Sequence, residues 1–162
     1  MNLVAIAQAL MLVFVANGAP VIATRLLGTR FDFPMDFHAR LSDGARVLGE
    51  SKTFRGLAAS LMAACLAAPA LGLSWRLGAL AALGAMAGDA LSSFFKRRLK
   101  MPAHGMAPGV DQGPESLLPL FLIRGALGLT LVETVFSAFL FWIGAVALSR
   151  VLHALKLRET PY

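Results

Sequence analysis

Cysteine is almost missing: the 162-residue chain has one, Cys65, set inside an apolar run. No internal disulfide can form and no thiol–metal site is suggested, so Cys65 reads as a small buried apolar residue. Histidine is equally sparse. His38, His104 and His153 share no common spacing, and neither a zinc site nor a Ser–His–Asp triad can be assembled from them. Charged residues make up only 15% of the chain, where an ordinary soluble domain has about a quarter. There is no internal repeat of the kind that transporters build their midplane sites from. No basic segment precedes the first apolar run either. Met1-Asn2 leads straight into Leu3-Val4-Ala5, so that run is expected to be a retained span and not a cleaved signal peptide.

What fills the space is hydrophobic sequence, 57% of the whole, gathered into runs between basic, Gly- and Pro-bearing loops. That is the pattern of a multi-span, all-α integral membrane protein, expected here as one membrane-embedded domain over residues 1–162. The first span is expected over Leu3–Ala23, with Asn17 and Pro20 near a kinked or broken end. The second covers Leu57–Leu73 and the third Leu77–Phe95, joined by a tight turn at Ser74-Trp75-Arg76. The stretch from Leu117 to Leu152 would reach about 54 Å as one helix, against a hydrocarbon core of about 30 Å. It therefore divides into spans four and five near Gly128–Glu133, which places Glu133 at an interface. About five transmembrane helices result.

Two polar loops remain, Thr24–Arg55 and Lys96–Ser116, and the first is too long to be a bare connection. All Lys and Arg residues except Arg76 and Arg124 lie in those loops, their rims or the tail. With five spans these regions fall on one side. The positive-inside rule then puts both loops and the C-terminus in the cytoplasm, the N-terminus outside, and the chain in the cell membrane. The same rule accounts for the formal charge of +6 better than nucleic-acid binding does.

Four stretches could carry chemistry. At the end of span three, Asp89, Ser93 and Lys96 stand at i, i+4 and i+7 and share a helical face, with Arg97 and Arg98 at the water boundary. An acid at that depth needs a partner and is a functional-site candidate by default. A carboxylate there suits Mg²⁺ with substrate phosphates, and Lys96 and Arg97 suit phosphate oxygens. The bland alternative is an internal pair of Asp89 with Arg124 or Lys96. Asp111 and Glu115, in the second loop, could complete a cation site or simply be solvated. Gly49-Glu50-Ser51-Lys52-Thr53 resembles the end of a phosphate loop but lacks the first glycine and a preceding strand, so it is no Walker A motif. Lys52 and Thr53 either hold phosphate against a helix N-terminus or form an N-cap and a basic anchor. Asp43-Gly44-Ala45-Arg46 has no further spaced aspartates shortly downstream, which excludes the CDP-alcohol phosphotransferase motif.

Taken together, these stretches resemble one family. Gly88-Asp89…Ser93-Phe94-Phe95-Lys96-Arg97 is similar to the G-D-x-x-x-S-x-x-K-R signature of CTP:phosphatidate cytidylyltransferases. Asp43-Gly44-Ala45-Arg46-Val47-Leu48-Gly49-Glu50-Ser51-Lys52-Thr53-Phe54-Arg55-Gly56 is similar to the D-G-x-R-x-L-G-D-G-K-T-x-R-G element of the smaller archaeal-type branch, the CDP-archaeol synthases. The resemblance implies transfer of CMP from CTP to a membrane lipid phosphate, with Mg²⁺, giving a CDP-lipid and pyrophosphate. It implies Asp89 and Asp111 as metal ligands. Glu115 stands one residue beyond the family's second loop acid, where this chain has Pro114. It implies Lys52, Lys96 and Arg97 on phosphates, supported by Thr53 and Ser93, with Lys52, Asp89, Lys96 and Asp111 as the catalytic set. The rival class is a small membrane scaffold or transporter subunit without chemistry.

Overall fold

The structure, a computed structural model, describes residues 1–101 and 112–154. Five helices make up the described part: α1 Leu3–Leu27, α2 Phe54–Ala70, α3 Trp75–Arg98, α4 Gln112–Leu127 and α5 Leu131–Ala154. No strand occurs among the described residues, and the all-α membrane architecture expected from the sequence is what is found. Three helices are long and apolar enough to cross a membrane: α1, α3 and the Leu131–Arg150 part of α5. α2 is apolar but shorter, at 17 residues.

Helix ends follow capping chemistry and not the edge of hydrophobicity. α1 begins at an Asn2 cap whose side chain accepts from the Ala5 N–H at 3.1 Å. It continues through Pro20, past the expected end at Ala23, and stops at Gly28, which turns at φ 57°. α2 starts at the Thr53 cap, ahead of Leu57. Ser74 caps α3, so Trp75 and Arg76 form its first turn, and the connection from α2 is Leu71–Ser74 with Gly72 at φ 73°. The expected turn at Ser74-Trp75-Arg76 therefore lies too late. Trp75 and Arg76 are polar-edged, but a Ser hydroxyl accepting an orphan N–H decides the boundary. The division of the last apolar stretch is where length demands it. α4 ends at Leu127, Gly128 turns at φ 64°, and α5 begins at Leu131.

α1 packs against each of the other four helices. Ile6, Ala9, Leu12 and Val13 of α1 meet Leu120 and Ile123 of α4 and Phe141 of α5 in the main core. A second core of Ala16, Ala64, Ala82 and Ala85 joins α1, α2 and α3. In lipid, packing has no hydrophobic advantage over the acyl chains, so close approach of small residues has to hold the helices together. α3 supplies it. Gly78 lies against the Ala64 carbonyl of α2, while Gly84 and Gly88, four residues apart, lie against Pro119 and against Pro114–Glu115 of α4.

Two ends of the bundle differ in chemistry. At the end holding the N-terminus, Glu133 accepts from the Asn2 N–H at 2.6 Å and from the Thr130 N–H and hydroxyl, closing a capping box at the start of α5. Gln8 donates to the Leu71 carbonyl at 2.8 Å, tying α1 to the α2–α3 turn. Glu133 thus ties the start of α5 to the start of α1. The opposite end gathers the 28–53 loop, the start of α2 and the basic last turn of α3, Lys96-Arg97-Arg98.

Candidate functional site

Lys52 is the last residue but one before α2, and Asp89 lies about two and a half turns before the end of α3. They are 37 positions apart in the chain, yet the Lys52 Nζ is 2.5 Å from the Asp89 Oδ2. Their side chains are 16% and 29% exposed, so both are mostly shielded but open at one side. This contact joins the loop motif to the helix motif. It also gives Asp89 a partner: the acid pairs with Lys52 of the loop, whereas the Arg124 guanidinium lies over the Phe121 ring at 5.5 Å.

Beside the pair opens a cavity of about 440 Å³, within the ordinary range of small-molecule sites. One wall is α3, through Ser93, Lys96 and Arg97, continuing into Lys100 and Met101. The other wall is the loop from Ala45 to Lys52. Arg46, Lys52, Lys96, Arg97 and Lys100 face Glu50 as the one acid among these lining residues. Such a charge balance favours a polyanion, and flexible lysines with a forked guanidinium suit phosphate oxygens. Ser93, Lys96 and Asp89 share the expected face: Ser93 is buried, and Lys96 reaches the cavity one turn further on.

The loop wall is held through Asp36, which no sequence motif singles out, together with the motif residues Arg46 and Arg55 and with Arg98. Asp36 is only 7% exposed and is the hub. Its carboxylate takes two bonds from the Arg46 guanidinium, at 2.5 and 3.2 Å, and accepts from the N–H groups of His38, Leu48 and Gly49. Burial opposes charge on Asp36, but the Arg46 guanidinium and the Gly49, Leu48 and His38 amides outweigh it and hold the carboxyl well below the usual range. Arg98 then clamps the same loop to α3, donating to Asp43 at 2.8 Å and to the Ala45 and Arg46 carbonyls. Buried Arg55 does likewise at the loop's start, donating to the Gly28 and Arg30 carbonyls, Thr24 and Asp32. No local signal marks Asp36, because three of its partners are backbone amides that carry no residue identity.

Asp36 gives a pH prediction. Its carboxyl is depressed in the folded state, so its contribution is complete above the ordinary value of 3.8 and is lost as pH falls below it. Asp36→Asn should lower stability by about 3 kcal/mol at neutral pH, since it strands Arg46 in a largely buried position. Its unfolding midpoint, followed in detergent, should fall less steeply below about pH 4 than that of the parent chain. Parallel curves would deny Asp36 this role.

The other expected site residues divide. Thr53 is taken up by capping: its hydroxyl accepts from the Gly56 N–H at 3.1 Å, and it is buried. Glu115 lies in the first turn of α4, its Cα against Gly88, the neighbour of Asp89. Asp111 lies outside the described residues. Among the described residues no group of three His, Cys, Asp or Glu side chains could hold a metal ion by itself.

The chain as a whole is similar to known proteins. A family model described as CarS-like, CDP-archaeol synthase, matches residues 2–158. The chain is 36% identical to the CDP-archaeol synthase of Sulfolobus acidocaldarius over 155 residues, 91% of each chain. It is 35% identical to that of Pyrobaculum calidifontis over 162 residues, 92% of each. A solved structure of an intramembrane enzyme for archaeal membrane lipid biosynthesis matches with TM-score 0.67 and 35% identity, over 86% of this chain and 89% of that one. The chain therefore belongs to the CarS-like CDP-archaeol synthase family.

Proposed function

We propose that this chain transfers CMP from CTP to a membrane lipid phosphate, releasing pyrophosphate and leaving a CDP-lipid. The observation that carries this reading is the Lys52–Asp89 contact at the edge of a cation-lined cavity. Supporting it are the family match and the relatives' shared name, which points to an archaeol-type phosphate as the first acceptor to try. In the reaction a lipid phosphate oxygen attacks the α-phosphorus of CTP. A P–O bond forms there, and the bond to the β-phosphate oxygen breaks. The attacking group is already an anion, so the protein's task is positioning and charge neutralisation. Lys52, Lys96 and Arg97 hold the phosphate oxygens, and Ser93 supports them from α3. Asp89 orients Lys52.

Mg²⁺ fits this donor set through Asp89 together with substrate phosphates, since that ion binds readily through one or two carboxylates plus phosphate oxygens. Asp111 and Glu115 are the candidates for a second carboxylate. When bound, the ion would neutralise charge developing on the leaving pyrophosphate. The unit is read as a single membrane-embedded domain, with the cavity end in the cytoplasm, where the basic residues gather and CTP is available.

The test incubates purified protein with labelled CTP, with and without Mg²⁺, and a panel of lipid phosphates including archaetidic and phosphatidic acids. A labelled CDP-lipid with stoichiometric pyrophosphate is expected from at least one acceptor. No CDP-lipid from any of them would sink the reading.

A further inference from the structure

The 28–53 loop carries an aromatic lobe that the cavity does not use. Phe31, Phe33 and Phe37 are 69%, 71% and 77% exposed, and Phe54 at the start of α2 is 43% exposed. The Phe37 and Phe54 rings lie 5.5 Å apart, and the Phe33 and Phe54 backbones are hydrogen-bonded, so at least these three belong to one stretch of surface, with Phe31 two residues before Phe33. The backbone beneath them is costly as well. Phe31 and Phe37 sit at φ 59° and 48°, in the left-handed region that bulky residues avoid. Strain of this kind collects at functional contacts.

The depth of the lobe follows from α2. With 17 residues that helix is about 26 Å long, shorter than a hydrocarbon core of about 30 Å. With the α2–α3 turn at the far boundary of that core, its first residue, Phe54, lies at or below the near one. The loop is tied to that level. The Phe54 N–H donates to the Phe33 carbonyl at 3.0 Å, and the Met35 N–H donates to the Lys52 carbonyl at 2.7 Å. Arg25 and Arg30, shortly before Phe31 in the chain, are exposed as well. Apolar phenyl rings with arginines nearby in the chain complement the boundary between acyl chains and anionic headgroups.

We propose that this lobe is seated in the interfacial layer of the protein's own membrane, its rings among the upper acyl chains and Arg25 and Arg30 on lipid phosphates. It thereby sets the lip of the Lys52 cavity at headgroup depth, where a lipid-borne phosphate reaches it without leaving the bilayer.

The first arm of the test needs no activity. Phe33→Trp is placed in a chain whose Trp75 and Trp142 are replaced by Phe, in nanodiscs of phosphatidylcholine with phosphatidylglycerol. Blue-shifted emission, quenched by lipids brominated near the top of the acyl chain, is expected. Emission quenched by aqueous iodide overturns the proposal, as does shielding that arises only in discs holding two copies, which would indicate a dimer contact. The second arm rests on the cytidylyl-transfer reading. A Phe31→Ser, Phe33→Ser, Phe37→Ser chain should raise KM for a bilayer-held lipid phosphate about tenfold. KM for CTP should be unchanged, and the defect should vanish with a short-chain, water-soluble lipid phosphate. An unchanged KM for the bilayer-held substrate, or an equal defect with the soluble one, overturns the proposal. Failure of the reaction itself would leave the fluorescence result standing and count against the function alone.

Discussion

Asp89→Asn should cut CMP transfer by about a thousandfold or more while the protein stays folded. The substitution keeps the side chain's size and removes its charge. Two consequences follow from the geometry. Lys52 loses the negative charge 2.5 Å from its Nζ, and the α3 face loses its one carboxylate beside Ser93 and Lys96. The cost in stability is modest, because the pair is open to solvent on one side and Lys52 can rehydrate. Lys52→Met should cost about a hundredfold, seen largely as a raised KM for CTP if its task is to hold phosphate. The double variant decides between independent and joint action. Two independent groups would multiply their losses, whereas a pair working as one unit should leave the double variant little worse than Asp89→Asn alone. Single-turnover rates with labelled CTP measure all three. Asp89→Asn within about tenfold of the parent chain would remove Asp89 from the reaction and return the pair to a structural tie.

The convergence of Lys52 and Asp89 is legible in the amino-acid sequence because two independent constraints point to it. The charge count puts both stretches on one face of the membrane, and each needs a partner of opposite sign. The α4–α5 break is legible for a simpler reason, since no helix can carry so long an apolar stretch across one bilayer. Helix ends are less legible. Hydropathy changes gradually at Ala23, Leu57 and Leu73, but the ends are decided by single hydrogen bonds at Gly28, Thr53 and Ser74. Thr53 shows the consequence: its hydroxyl is a phosphate candidate by sequence, and the helix uses it as a cap. The Asp36 hub is out of reach altogether. Its bonds cross irregular chain with no period, and a loop acid bonded to Arg46 and three amides looks the same in sequence as a solvated one.

The largest effect on the fold is expected at Gly88. A Cβ there would lie 2.1 Å from the Pro114 carbonyl oxygen, 2.5 Å from its carbon and 2.8 Å from the Glu115 Cα. All three are backbone atoms, so no side chain can swing aside, and α3 and α4 must separate. Gly84 repeats the contact one turn earlier, 2.7 Å from the Pro119 Cα, so the helices cannot pivot about one point to make room. Gly88→Ala should therefore destabilise by about 3 kcal/mol, and Gly88→Val by more. The proper comparison is Gly125→Ala within α4, where an added Cβ meets nothing within 4 Å. There the gain in helix propensity should leave stability unchanged or raise it by about 0.5–1 kcal/mol. Thermal unfolding of the two variants in the same detergent separates close helix contact from a general intolerance of added methyl groups. Gly88→Ala should also lose activity below its unfolding temperature, because Asp89 is the next residue and moves with the α3 backbone while Lys52 stays with α2. Equal stability of the Gly88→Ala and Gly125→Ala chains would mean that α3 and α4 are not held in backbone contact, and that Glu115 is free to stand apart from Asp89.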